Sequence, residues 1–371
     1  MKKILFHLNC LEQGGAERVV SNLANQFAIE NYDVIVATQW QGEQEFALEE
    51  QVRRIHVGLR PNDEDKNRLT KIFLRIKYLR ELIEEEQPDI VIAFAHNAIF
   101  RTLLANKRNK IPTVIAVRIN PIGNYDGLTD KILIPLLFPR ADGSVFQTEE
   151  QRDFFPDYIR EKATVILNPL NNKYIHAPQA EVKTKTVVHS GRIVDFKNQP
   201  MLVRAFLKVH EKHPDYDLKI YGGDSHDGTW EKLQQIISEH GDGGYVSLMG
   251  PSDSLEKELP KGMVCAFSSD YEGMPNALLE AMALGMPVIA TDCPPGGPRA
   301  VITNEENGLL IPVGDEQALA DGINRLIENP EFANKLGENA RKISERANVQ
   351  TIYEEWKVYL EQVIARVSIK K

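Results

Sequence analysis

Short apolar runs of strand length recur along this chain, each followed by a polar linker and then by a longer segment whose apolar residues return every three or four positions. Residues 4–9, 33–38, 90–95, 113–117 and 143–146 read as strands, and residues 16–30 and 69–86 as helices. The alternation pauses at Asn168-Pro169-Leu170-Asn171-Asn172 and the polar stretch 178–185. It restarts with strands at 186–190, 218–221, 246–249, 263–267 and 287–291. Strands separated by helices imply parallel pairing through right-handed crossovers, so the pattern predicts doubly wound α/β sheets. At 371 residues the chain exceeds the size at which one core stops growing. We expect a Rossmann-like domain over 1–172, a second over 173–348, and a closing helical segment over 349–371 that carries Tyr353, Trp356, Tyr359, Leu360 and Ile364.

Open parallel sheets take their ligands beyond the carboxyl ends of the strands, which directs attention to the strand-to-helix loops. The richest of these is Glu272-Gly273-Met274-Pro275-Asn276-Ala277-Leu278-Leu279-Glu280, with two carboxylates eight positions apart around a helix start. Glu272 is expected at a strand tip and Glu280 about two turns into the helix. Pro275 suits the first turn, and the amides of Gly273, Met274 and Asn276 can face an anion there. An ionised carboxylate can accept hydrogen bonds from two adjacent hydroxyls. After the first strand of the second half come Arg192 and Lys197, a planar fork and a compact point charge that together suit a phosphate. Gly14-Gly15 opens the first helix without the G-x-G-x-x-G spacing of a dinucleotide fingerprint. His96 and Asn97 sit at the end of the strand over 90–95.

The stretch 272–291, the Gly14-Gly15-Ala16-Glu17-Arg18 loop and the Gly191-Arg192…Lys197-Asn198 loop resemble the retaining glycosyltransferases of family 4. The resemblance implies the GT-B fold, two Rossmann-like domains facing a cleft, with a C-terminal helix crossing back to the first. It implies that Glu272 contacts the donor sugar and Glu280 the ribose, while Arg192 and Lys197 grip the diphosphate. Gly14 and Gly15 would let the backbone approach the donor, and His96 would face the donor sugar with Asn97 toward the acceptor. Gly250 and Ser252 lie where the base would be read, by position. The chain departs from the family pattern at Asp224-Ser225-His226-Asp227, an expanded loop, and at the proline-rich Cys293 to Arg299 stretch. The implied reaction moves a hexose or N-acetylhexosamine from a UDP-sugar to a glycan or lipid-linked glycan, with retention and by same-face displacement, as in bacterial surface-polysaccharide synthesis. A UDP-sugar 2-epimerase and an inactive nucleotide-sugar-binding scaffold share the architecture and stand as alternatives.

The formal charge of −9, concentrated in the second half, argues against a nucleic-acid partner. Cys10, Cys265 and Cys293 show no metal-ligand or paired spacing, which fits a reducing cytoplasm. Asp63-Glu64-Asp65 matches D-x-D but lies in a charge run, so no metal and no other cofactor is expected. The amino terminus is a poor secretory signal, and no apolar run approaches the roughly 18 to 20 residues of a membrane span. One basic island stands out: Lys66, Arg68, Lys71, Arg75, Lys77 and Arg80, without an intervening acid and interleaved with Ile72, Phe73, Leu74, Ile76 and Leu79. Such a basic amphipathic helix either covers the sheet or docks on anionic headgroups, with Lys71 and Arg75 as acceptor or membrane contacts. That would place the protein in the cytoplasm, at the inner face of the cell membrane. The sequence carries no signal for oligomeric state.

Overall fold

The computed structural model describes residues 2–12, 14–107, 111–178, 182–240 and 244–369. They form two compact units, Met1–Pro169 together with Val349–Lys371, and Leu170–Asn348. The chain therefore passes from one to the other slightly before the expected 172. Leu170 already belongs with the second unit, where its amide donates to the Ala347 carbonyl at 2.7 Å.

In the first unit seven parallel strands, β1 (Lys3–Leu8), β2 (Asp33–Thr38), β3 (Arg53–His56), β4 (Ile90–Phe94), β5 (Thr113–Ala116), β6 (Gly143–Phe146) and β7 (Ala163–Val165), run in the order β3-β2-β1-β4-β5-β6-β7. The order reverses between β1 and β4, so the loops following those two strands flank the switch point where such sheets bind ligands. Strand alternation sorts the residues. Phe6, Val34, Val36 and Ile92 point to one face and pack on α1 (Gly15–Ile29) and the C-terminal helix Val349–Ile369. Leu5, Ile35, Ala37 and Val91 point to the other, under Leu79, Leu82 and Ile83 of α2 (Arg68–Glu86). Ala93 and Ile115 continue that second face beneath α3 (His96–Ala105) and α4 (Leu128–Leu137). The C-terminal helix is thus part of the first unit's core: Trp356 is fully buried and stacks on Phe94 at 5.8 Å, and the Ser144 amide donates to the Tyr359 hydroxyl at 2.7 Å.

The second unit holds six parallel strands, β8 (Thr186–Ser190), β9 (Asp217–Tyr221), β10 (Val246–Gly250), β11 (Val264–Phe267), β12 (Val288–Thr291) and β13 (Leu309–Ile311), in the order β10-β9-β8-β11-β12-β13. Its switch point falls between β8 and β11. Leu202 and Phe206 of the helix Gln199–Lys212 and Leu319 and Ile323 of the helix Glu316–Glu328 pack with β8, β9 and β11 in one core. Strands β3, β7 and β13 were not expected from the sequence. All three lie at sheet edges, where strands are short: β7 and β13 are three residues each, and β3 carries two arginines.

Candidate active site

β8 is buried throughout and ends at Ser190, after which Gly191 takes a φ of 150° that only glycine adopts readily. A side chain at neighbouring Gly222 would collide with the Gly191 carbonyl oxygen, and the Gly222 amide donates to the Gly250 carbonyl at 2.9 Å. The ends of β8, β9 and β10 therefore converge on three glycines. The chain then makes one short 3-10 turn, Asp195–Lys197, and stops at Asn198 in the left-handed region, φ 47°. There the Asn198 side chain accepts from the Met201 amide, capping the helix Gln199–Lys212, and donates to Asp270 Oδ1 at 2.9 Å. From the other flank of the switch point, Ser268 Oγ lies 2.9 Å from the Lys197 and Asn198 carbonyl oxygens, and the Asp270 amide donates to the Phe196 carbonyl at 2.8 Å. Phe196 and Tyr271 stack at 4.9 Å. The loops after β8 and β11 are thus sewn to each other.

That stitching joins two residues 75 positions apart in sequence: Lys197 Nζ is ion-paired to Glu272 Oε1, with each side chain only 13% exposed. Ser269 Oγ donates to the same carboxylate oxygen at 3.4 Å. The Glu272 amide donates to the Pro294 carbonyl at 2.9 Å, and Gly297 packs so tightly on Gly273 that a Cβ would strike its carbonyl oxygen. Beneath the loop His189 is fully buried and donates from Nδ1 to the Ala266 carbonyl at 2.8 Å. Burial, with Lys197 nearby, lowers its pKa to about 4, so the ring is neutral at physiological pH. Gln199 Nε2 sits 3.4 Å from His189 Nε2 and donates to the Arg192 carbonyl at 2.8 Å, fixing the backbone of Arg192 while its side chain stays exposed.

The second carboxylate differs from expectation. The helix Asn276–Ala283 begins after Pro275, which occupies the N-cap with an extended ψ of 103° and lies just outside the first turn. Glu280 is therefore little more than one turn in, and it is buried. With burial, its charge pushes the neighbouring Cys265 thiol up. Met274 is buried as well, between Gly273 and Pro275. Ser252 Oγ accepts from the Ser254 amide at 3.3 Å, closing a turn beyond Gly250. Lys197 and Glu272 are in contact, and the Gly250 loop meets the Gly191 loop through Gly222. Glu280 is held on a separate helix in the same unit.

In the first unit Gly14 caps α1 and Gly15 opens it, following β1. A Cβ on Gly14 would run into the Glu17 carboxylate, so the helix start is tight around that residue. After β4, Ala95 takes a positive φ of 68° and presents His96 at the first turn of α3. His96 Nε2 lies 2.6 Å from Asp130 Oδ1 of α4, and Nδ1 lies 3.4 Å from Asn97 Oδ1. Phe100 and Tyr125 meet the imidazole edge-on at 4.9 and 4.6 Å. Asp130 was missed because it comes from a different helix and no local pattern marks it. Also missed was Arg101 of α3, whose guanidinium donates to Asn9 Oδ1 at 3.0 Å. Burial, and then the charge of Arg75, lowers its pKa to about 10, which places Arg75 of α2 beside it; Lys71 lies one turn earlier on α2. Asp63, first of the D-x-D triplet, accepts from the Arg60 amide and the Tyr78 hydroxyl, both at 2.9 Å, a capping role.

Residues 171–343 match the family of glycosyl transferases group 1, and residues 13–173 match glycosyltransferase family 4. The chain belongs to these glycosyltransferases. The glycosyltransferase is 26% identical to an uncharacterized glycosyltransferase of Haemophilus influenzae across 96% of this chain and 99% of that one. It is 23% identical to a Campylobacter jejuni protein named as a GalNAc-alpha-(1->4)-GalNAc-alpha-(1->3)-diNAcBac-PP-undecaprenol alpha-1,4-N-acetyl-D-galactosaminyltransferase, over 96% and 97% of the two chains. Among solved structures it superimposes on Anabaena HepE in complex with UDP-glucose with a TM-score of 0.82 at 20% identity, covering 98% and 100% of the chains. Both units are Rossmann-like and the fold is GT-B.

Proposed function

We propose that this glycosyltransferase moves a hexose or N-acetylhexosamine from a UDP-sugar to a glycan or lipid-linked glycan with retention of anomeric configuration. The observation that carries the reading is the Lys197–Glu272 pair at the switch point of the second unit. It sets a cation suited to a diphosphate against a carboxylate suited to sugar hydroxyls, the two recognition elements an activated sugar needs side by side. The name of the Campylobacter relative supports a lipid-linked acceptor, and UDP-glucose in HepE supports the donor class. Buried Cys10, Cys265 and Cys293, all free thiols, suit work on the cytoplasmic side.

In the reaction proposed, Lys197 and Arg192 stabilise the charge that grows on the departing diphosphate, and Glu272 and Glu280 hold the sugar and ribose hydroxyls. The bond from the anomeric carbon to the phosphate oxygen breaks as the acceptor oxygen bonds that carbon from the same face. The acceptor's proton passes to the departing phosphate oxygen. Catalysis then comes from positioning and electrostatics. In the first unit Gly14, Gly15 and His96 are assigned as ligand contacts on the family likeness, with Asn97 toward the acceptor; Gly250 and Ser252 are assigned to the base. The test is incubation with a panel of UDP-sugars and polyprenyl-diphosphate-linked glycans, reading UDP release and the product's anomeric configuration by NMR. Acceptor-dependent UDP release with the donor's configuration is expected; an inverted product refutes retention, and a free isomerised sugar without acceptor refutes transfer.

A further inference from the structure

We propose that Arg118 is the receptor for an oxyanion carried by the acceptor, a phosphate or a sugar carboxylate, at the carboxyl edge of the first sheet. Strand β5 ends at Ala116, in register with Phe94 at the end of β4, and Arg118 follows two positions on. Its guanidinium carbon lies 5.3 Å from the centre of the Trp356 ring and 5.8 Å from that of Phe94. One nitrogen, Nη1, donates to the Ile166 carbonyl at 3.1 Å and to Asn168 Oδ1 at 3.2 Å. The other two, Nε and Nη2, are shut away from solvent and have no acceptor. Among the described residues no carboxylate is ion-paired with this guanidinium. Burial lowers its pKa to about 9, so the group still carries its charge at physiological pH.

Buried charges are paired as a rule, because taking an ion out of water costs more than packing returns. The two rings offer their faces to the cation but satisfy none of its remaining N–H groups. Water could take those hydrogen bonds, yet it brings no negative charge, so the missing partner is an anion. Nε and Nη2 share one edge of the guanidinium plane, the edge that fits both oxygens of a carboxylate or phosphate at once. A polar network holds that edge open: Gln147 Nε2 donates to Asn168 Oδ1 at 2.9 Å, Gln151 Nε2 donates to Gln147 Oε1 at 3.2 Å, and all three side chains are buried. With Nη1 anchored in this way the fork is set before any ligand arrives, which keeps the ordering cost of binding low. Arg118 as a residue keeps partial exposure, so its free edge lies just under the surface. The same sheet edge carries His96 after β4 and Gly14 after β1, both assigned above to ligands. The donor's diphosphate is assigned to Lys197 and Arg192 of the second unit, which leaves the acceptor as the source. In that assignment the proposal rests on the transferase reading; the oxyanion contact itself does not.

The test has two arms. In the first, the arginine Nε–H signals of the nitrogen-15-labelled full chain are followed by NMR as inorganic phosphate, glucuronate or chloride is added at constant ionic strength. The Arg118 signal, identified by its loss in Arg118→Lys, should move saturably with phosphate or glucuronate and not with chloride. In the second, transfer is compared for one glycan acceptor offered neutral, with a diphosphate at its reducing end, and with a uronic acid. One anionic form should show a KM about tenfold to a hundredfold below that of the neutral form, and which form it is names the source of the oxyanion. Arg118→Met should raise that KM to the neutral level with kcat little changed, and Arg118→Lys, which lacks the fork, should not restore it. A signal that ignores both oxyanions, equal KM values for all forms in the wild type, or a preference that survives Arg118→Met overturns the proposal. Should Arg118→Met fail to fold, the wild-type titration and acceptor comparison decide by themselves. A saturable shift in a protein that transfers no sugar to any acceptor would instead refute the transferase reading and leave the oxyanion receptor standing.

Discussion

Lys197 is ion-paired to Glu272, so on the proposed reading a diphosphate must win that ammonium from a carboxylate. Two unit charges about 4 Å apart at an effective dielectric near 20 attract by about 4 kcal/mol before desolvation is subtracted. A hydrogen bond to a charged group nets about 1.5–3 kcal/mol. Glu272→Gln keeps the shape, removes the competing charge and leaves Lys197 to the phosphates. UDP alone should then bind the variant more tightly, by about 1.4 kcal/mol or tenfold. The UDP-sugar, which loses its hydroxyl partner, should gain less, so the preference for UDP-sugar over UDP narrows. Lys197→Met should weaken both ligands, because it removes the cation and leaves a partly buried carboxylate facing the diphosphate. Isothermal titration of UDP and UDP-sugar against wild type and both variants decides the matter. If Glu272→Gln binds UDP no better than wild type, or leaves the ratio of the two ligands unchanged, the exchange of partners at Lys197 is wrong.

Further outcomes concern protonation and positioning. His189 holds its folded pKa near 4 against an ordinary value near 6.5, so the unfolded chain takes up the proton first as pH falls. Stability should be intact above about 6.5 and decline between 6.5 and 4, and urea unfolding across that window should lose part of this slope in His189→Gln. Glu86, gripped first by Arg53 and then by Lys3, is lowered to about 2. Its contribution is present above the ordinary carboxylate range and lost as pH falls toward 2, so Glu86→Gln should flatten acid unfolding by about 2 kcal/mol, allowing for the half-exposed Arg53. Asp130→Asn replaces the carboxylate that orients His96 Nε2 by a neutral amide, a weaker acceptor; kcat should fall roughly tenfold, with UDP affinity unchanged. An unaltered kcat would mean that Asp130 serves only packing.

The strands at the centre of each sheet were legible because both their faces are buried: β4, β11 and β12 read as short apolar runs, and β1 and β8 as such runs interrupted by buried His7 and His189. Edge strands were not, since Arg53 and Arg54 in β3 give no alternation to read. Helix α4 escaped notice because Pro135 lies inside it and Leu128, Ile132 and Leu136 face outward, so its pattern does not divide into a wet and a dry side. Lys197 and Glu272 could each be placed at a strand end from local sequence. Their contact could not, for it depends on β8 lying beside β11 and on Asn198 turning left-handed to reach Asp270. The His96–Asp130 contact is non-local in the same sense. The position of Glu280 was misjudged by a local detail, the extended backbone at Pro275 that delays the helix start.

The first unit is split along the gene, since its final helix returns only after residues 170–348 have been laid down elsewhere. During synthesis Phe94 and Phe27 must wait for Trp356 and Tyr353 until the codons beyond 348 have been read. A ribosome-bound nascent chain halted before Val349 would therefore carry an apolar trench along one side of its first sheet, a surface for chaperones to cover. The inserted unit faces no such delay: Leu170 and Asn348, where it departs and rejoins, are bridged to each other, so its two ends meet as soon as it is made.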